Sequence, residues 1–240
     1  MEHTEKLYHA DPYLRESTAR VLSVTGDEVV TDRTIFYPEG GGQLGDRGFL
    51  ADAAVRDTQQ RGGELVLRDG LPEVEVATEV VHLMEGDVSN MLHPGDEVEL
   101  RVDGVHRGRC MRLHSATHLV VGKLADVFGE SSFATEGCRI DSSKARIDLR
   151  TEDRYGGDFL RELEAAVNAW IEANPPAQMR PIANVPEMFI WHCDIHPCLD
   201  MPCGGTHVAQ LGEIGRVRLK RKREGRGLER IYIRLEEETR

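Results

Sequence analysis

Two short strings far apart in the chain, His114-Ser-Ala-Thr-His118 and Cys203-Gly-Gly-Thr-His207, constrain the fold more than any other feature. Each supplies two metal-ligating side chains four residues apart. On a helix, positions i and i+4 share a face with Cβ atoms roughly 5–6 Å apart, so each pair can offer two ligands to one ion. Three imidazoles and one thiolate suit a single tetrahedral Zn2+, with bonds of about 2.0–2.1 Å to nitrogen and 2.3 Å to sulfur. Such an ion requires two distant segments to converge. The competing reading makes His114 and His118 hydrogen-bonded core histidines and Cys203 a small buried apolar residue.

Other ligands compete. His106 and Cys110 continue the four-residue spacing ahead of His114. Each such step turns a helix by about 40°, which leaves Cys110 near the metal and rotates His106 away. His192, Cys193, His196 and Cys198 cluster before Cys203, but Pro197 and Pro202 disfavour a regular helix there. The expected ligands are His114, His118, Cys203 and His207, with Cys110 and Cys198 as substitutes.

A chain of 240 residues fits one large domain or two modest ones. No run of 18 apolar residues occurs, so no membrane span is expected. The charged N-terminus lacks the apolar stretch of a secretory signal. Five cysteines, an odd number, fit a reduced cytoplasmic compartment with a metal or free thiols better than a disulfide framework. The net charge of −12 argues at first against a nucleic-acid partner. It is unevenly spread, however: residues 1–97 hold 8 Lys/Arg against 20 Asp/Glu, and residues 98–240 hold 22 of each. Residues 216–234 carry nine cations, including Lys220, Arg221, Lys222 and Arg223, against Glu224 and Glu229. Because salt screens charges beyond roughly 8–10 Å, such a strip can contact phosphates whatever the global balance. A solvated hairpin that serves solubility is the alternative.

The patterning predicts an α+β protein in two parts, 1–103 and 104–240. Alternating segments at 17–24, 28–36, 48–56, 64–68, 73–83 and 97–102, with turns at Gly26-Asp27, Gly62-Gly63 and Asp69-Gly70, suggest a small β-barrel or sandwich. Asp103 can then cap a helix over 105–128, which Gly129 stops. A strand or hairpin is expected over 138–149 around 141–144, and an amphipathic helix over 158–173, ending before Pro175-Pro176. A Pro- and Cys-rich loop should lead to the CGGTH segment, and a last hairpin should pair 215–222 with 228–235 around Gly225-Arg-Gly227.

Phe36-Tyr-Pro-Glu-Gly-Gly-Gly-Gln-Leu-Gly-Asp-Arg-Gly48 is the second unusual string. Its glycines serve backbone positions with positive φ or close approach. No Lys-Ser/Thr follows, so a phosphate-cradling nucleotide loop is a poor reading and no nucleotide cofactor is expected.

Taken together, these strings resemble the editing region of alanyl-tRNA synthetase and its free-standing relatives, the AlaX proteins, of the medium-sized class. The resemblance runs through residues 36–48, 114–118, 203–207, 212–215 and 227–231. It implies an N-terminal β-barrel domain (1–103) bearing the glycine motif, with Gly40, Gly41, Gly42 and Gln43 at its centre. A zinc-binding editing domain (104–240) follows. It also implies hydrolysis of tRNA(Ala) mischarged with serine or glycine, zinc held by His114, His118, Cys203 and His207, and Thr117 in the editing pocket. Thr117 is read as the catalytic candidate; the alternative is a hydroxyl that bonds its own preceding helix carbonyl. Synthetases commonly have a glutamine shortly before a glycine downstream of this helix. Here residues 133–137 read Phe-Ala-Thr-Glu-Gly, leaving Thr135 or Glu136 in that place. Rival readings are threonyl-tRNA-synthetase-like editing of Ser-tRNA(Thr), a non-catalytic zinc-stabilised RNA-binding module, and a small-ester metallohydrolase.

Overall fold

The computed structural model describes residues 3–67, 73–129, 134–151, 156–183, 185, 187–225 and 227–236, with backbone alone at Val74, Ala134 and Cys198. In the first part the strands are β1 (Glu5–Lys6), β2 (Glu16–Thr25), β3 (Glu28–Thr31), β4 (Arg33–Thr34), β5 (Gly48–Leu50), β6 (Ala53–Arg61), β7 (Glu64–Val66), β8 (Val74–Val76), β9 (Glu79–Met84) and β10 (Glu97–Val102). Six of them hydrogen-bond in the cyclic order β10-β2-β3-β9-β6-β5, and β10 pairs with both β2 and β5, so the barrel closes. Alternate residues point inward, and Val21, Val29, Phe36, Leu50, Met84 and Leu100 fill the interior. Strands β7 and β8 form a separate hairpin. The expected Asp69-Gly70 turn and Arg68 lie outside the described residues.

Three expected strands break where the backbone turns. The 48–56 segment is a hairpin because Ala51 takes φ 49°, and 73–83 splits at Ala77, with φ 55°. A left-handed residue cannot continue a pleated ladder, and periodicity alone does not report it. In the 28–36 segment, β4 leaves the barrel to pair in parallel with β1.

The second part begins with helix α1 (Gly104–Phe128). Asp103 caps it, its carboxylate accepting from the Val105 and His106 amides, and Gly129 stops it at φ 80°. Next come β11 (Ala134–Ile140) and β12 (Ala145–Arg150), whose turn is held by Asp141 Oδ1 accepting from the amides of Ser143 and Lys144. Helix α2 (Gly157–Ala173) ends at Asn174 in the left-handed region. The expected loop between α2 and CGGTH is instead an antiparallel sheet of β13 (Ala177–Pro181), β14 (Phe189–Cys193) and β15 (Met201–Cys203), in the order β13-β14-β15. Its prolines, Pro181 and Pro202, sit on the two edge strands, where a missing N–H breaks no interior ladder. Finally β16 (Val217–Arg223) and β17 (Leu228–Leu235) join β11 and β12 in the order β11-β12-β17-β16. Arg226, at the expected turn of that hairpin, lies outside the described residues.

Helix α1 packs on the inner face of this sheet, and Leu113, Leu119, Val120, Ile147, Leu163 and Ile231 share one apolar cluster distinct from that of the barrel. Among the described residues, no helix is long and apolar enough to cross a membrane.

Candidate metal centre

His114 and His118 lie one turn apart on α1, buried against the centre of the molecule. Cys203 is the last residue of β15, and His207 follows it in an irregular segment. The CGGTH pair therefore does not use helical spacing. Instead, Gly204 and Gly205 fold the chain back on itself. A Cβ on Gly205 would lie 2.2 Å from Cε1 and 2.5 Å from Nδ1 of His114, so only glycine lets this segment close over that imidazole.

Ligand atoms of His114, His118, Cys203 and His207 all fall within 4.8 Å of one another, a cluster able to hold a metal ion. Cys203 Sγ is 3.5 Å from His114 Nε2 and 3.2 Å from His207 Nε2. A tetrahedral ion with ordinary zinc bond lengths sets nitrogen and sulfur about 3.5 Å apart. The donor set and its spacing thus fit the ion implied by the sequence.

Supporting groups fix the ligands. His114 Nδ1 donates to Gln43 Oε1 at 2.8 Å, which leaves the Nε2 lone pair for the metal. Gln43 Nε2 donates in turn to Thr206 Oγ1 at 2.9 Å, tying the glycine motif to CGGTH. His207 Nδ1 lies 3.1 Å from Ser115 Oγ. His118 Nδ1 is buried without a hydrogen-bond partner among the described residues, and Trp191 packs beside its ring. Burial holds His118 at about 4 and pushes His114 and His207 well below the usual imidazole range, which keeps all three in the neutral, ligating form. Burial pushes the Cys203 thiol up to about 12, opposed by the Gly205 amide donating to Sγ. Metal binding at this thiol requires release of its proton.

The centre forms one wall of a cavity of about 670 Å³, bordered also by Thr117, Thr135, Cys138, Tyr37, Lys6 and Glu187. Thr117 donates its hydroxyl proton to Leu113 O at 2.8 Å, so the local helix bond forms even as the side chain borders the cavity. Of the two candidates for the polar place downstream, Thr135 reaches the cavity, whereas Glu136 is turned to Arg150 at 2.6 Å. Lys6 and Glu187 form an ion pair on the rim, and the Ala77 amide also donates to Glu187.

The glycine motif acts as a strut between barrel and helix. Its 40–43 turn closes through mutual Gly40–Gln43 backbone bonds, and Gly42 O accepts from the Ile140 amide of β11. Gly42 has φ 86°, and a Cβ there would meet Cys138 O at 2.7 Å. Arg107 of α1 is fully buried, its Nε donating to Asp46 Oδ2 at 2.8 Å, its side chain also reaching Ile35 O and Pro12 O.

Cys110 is not among the converging atoms: it is buried, 3.7 Å from His106 Nε2, with its thiol pushed up to about 12 by burial. His106 turns to Gly45 O. His192 lies between Asp194 and Asp200, and His196 meets Asp126, both apart from the cluster. The Cys198 side chain lies outside the described residues. The basic tetrad splits: on a strand, alternate side chains face opposite ways. Lys220 and Lys222 share one face of β16, while Arg221 shares the other with buried Glu229, 3.6 Å away. Sequence reasoning overlooked Ser115, Trp191, Cys138, Lys6 and Glu187, because nothing local marks residues that meet only across the fold.

Residues 201–232 match a family model described as the threonyl and alanyl tRNA synthetase second additional domain. The alanyl-tRNA editing protein AlaX-M of Pyrococcus horikoshii is 30% identical over 97% of this chain and 98% of its own length. Alanine–tRNA ligases of Archaeoglobus fulgidus and Pyrococcus abyssi are 32% and 31% identical over 90% and 96% of the chain. The chain spans only 24% and 26% of those ligases' lengths. By this near full-length likeness, with its metal-ligand cluster braced by the glycine motif, the chain belongs to the AlaX family of alanyl-tRNA editing proteins.

Proposed function

We propose that the protein is a trans-editing deacylase that hydrolyses mischarged tRNA(Ala), releasing serine or glycine. One observation carries the reading: three of the four clustered metal-ligating residues, His114, His118 and Cys203, border with Thr117 a single cavity sized for a small ligand. Three neutral imidazoles and a thiolate favour zinc. When bound, zinc supplies a fixed positive charge that orients the polar atoms of the ester. Four protein ligands complete a tetrahedral set, and the centre is therefore assigned to positioning. Water attacks the ester carbonyl carbon, the ribose oxygen leaves and takes up a proton, and the free amino acid departs. Orienting the reactants can lower such a barrier by about 7–11 kcal/mol.

Thr117 is assigned the role of reader. Having given its proton to Leu113, its oxygen still accepts hydrogen bonds, from a substrate serine hydroxyl or from the attacking water. A site that pairs that hydroxyl rejects alanine, which lacks it. We also assign the barrel (1–103) and the editing part (104–240) to separate domains, in keeping with their two apolar clusters. Phosphate contact is assigned to the basic strip of residues 220–223 through Lys220 and Lys222, since Arg221 is turned to Glu229, and the working compartment is the cytoplasm.

The test is a deacylation assay of zinc-loaded protein on Ser-, Gly- and Ala-tRNA(Ala) and on Ser-tRNA(Thr). Serine release from tRNA(Ala) is expected, with Ala-tRNA(Ala) spared, activity lost in Cys203→Ala and serine release weakened in Thr117→Val. Binding of tRNA without release of any amino acid would leave a non-catalytic RNA-binding module.

A further inference from the structure

The sheet β11-β12-β17-β16 has one face on α1 and another that nothing among the described elements covers. Ile140, Ile147, Leu219 and Ile231 mark the inner face. On the outer face, one cross-strand row reads Arg139, Arg146, Tyr232, Lys220, one residue from each strand. Arg218 and Arg234 pair in the adjacent row, and the Lys144 ammonium lies 5.7 Å from the Tyr232 ring centroid. Among the described residues, Arg230 holds the outward Asp148, and Glu136, Glu224 and Glu236 pair with Arg150, Lys222 and Arg218 at the margins of the face. Among the described residues, no carboxylate comes within ion-pair distance of Lys144, Lys220 or Arg234.

In a chain of net charge −12, so many cations on one sheet face are not a background of solubilising charge. The face is poor in apolar groups and carries arginine or lysine from all four strands, the charge that a phosphate backbone attracts. Its four-strand row spans about 14 Å, a length over which a nucleic-acid duplex carries roughly eight phosphate charges. The face also begins at the cavity rim: on edge strand β11, Cys138 borders the cavity and the next residue, Arg139, is exposed on the outer side.

We infer that the outer face of this sheet binds the phosphate backbone of the double-helical RNA stem whose aminoacylated 3′ strand enters the cavity. This deepens the deacylase reading and rests on it. Lys220, Arg234 and Lys144 make the central contacts, and Arg146 and Arg139 lead toward the cavity.

The test compares unaltered protein with the Lys220→Glu/Arg234→Glu variant, and with an Arg20→Glu/Arg33→Glu control that changes the net charge equally on the barrel. Binding of uncharged tRNA is followed by fluorescence anisotropy across a salt series. The sheet variant should bind at least about tenfold more weakly, with a salt slope smaller by about two, while the control stays near the unaltered protein. Hydrolysis of a seryl ester of adenosine, which has no stem, is followed on the unaltered protein and on the Arg20→Glu/Arg33→Glu control, where it should be the same. Unchanged RNA binding in the sheet variant, or equal loss in both variants, would overturn the inference. So would tighter binding to phosphatidylserine vesicles than to tRNA. Failure of the unaltered protein to cleave the adenosine ester would refute the hydrolase reading alone, with the anisotropy still deciding the surface.

Discussion

Gln43, in the glycine-rich turn of the barrel, accepts a 2.8 Å hydrogen bond from Nδ1 of His114, a metal-site imidazole on α1. The bond orients the ring and selects its tautomer. Gln43→Ala should therefore weaken zinc affinity by about 10–100-fold while leaving the fold intact. Competition with a chromophoric chelator measures it; affinity equal to the unaltered protein would show that the glycine motif does not tune the centre.

Gly205 and Gly204 are adjacent but not equivalent. A Cβ at Gly205 would overlap the His114 ring at 2.2 Å, whereas at Gly204 the nearest atom is Glu187 O at 4.0 Å. Gly205→Ala should destabilise the protein by about 1–3 kcal/mol and lower its zinc content, and Gly204→Ala should do neither. Urea unfolding and elemental analysis of both variants decide this, and equal behaviour would contradict it.

Arg107 and Asp46 are both fully buried and join α1 to the glycine motif. Asp46→Ala strands a buried guanidinium and should cost about 3–5 kcal/mol. Removing both charges, as Asp46→Leu/Arg107→Met, should recover part of that loss. Denaturant midpoints of single and double variants provide the measurement; a double variant no better than the single would argue that Arg107 acts through its bonds to Ile35 O and Pro12 O instead.

His82 is buried in the barrel between Thr34 Oγ1 and Val29 O, and burial lowers it from 6.5 to about 4. The folded state then binds fewer protons than the unfolded chain between those values, so stability falls as pH drops through that window. The contribution is about 2 kcal/mol between pH 7 and pH 5. His82→Gln should flatten the stability profile by that amount, and profiles with the same slope would refute the assignment.

Much of this was legible from local pattern. The α1 boundaries followed from Asp103 and Gly129, and a strand or hairpin was legible around 141–144, where the structure shows Asp141 accepting from backbone amides. The three-stranded sheet at Ala177–Cys203 was not legible, because prolines on edge strands read like prolines in a loop. The breaks at Ala51 and Ala77 were also hidden, since alanine carries no signal for positive φ.

From residue types and spacing alone came the ligand set and the need for two distant segments to meet. Tertiary structure alone decided how they meet: His114 and His118 along a helix, Cys203 and His207 around a diglycine turn, and Gln43 reaching in from the barrel. It also divided the basic tetrad between two sheet faces. The physical reason is range. Caps, turns and periodicity act within a few residues, whereas coordination, close packing and the pairing of buried charge join groups that only the folded chain brings together.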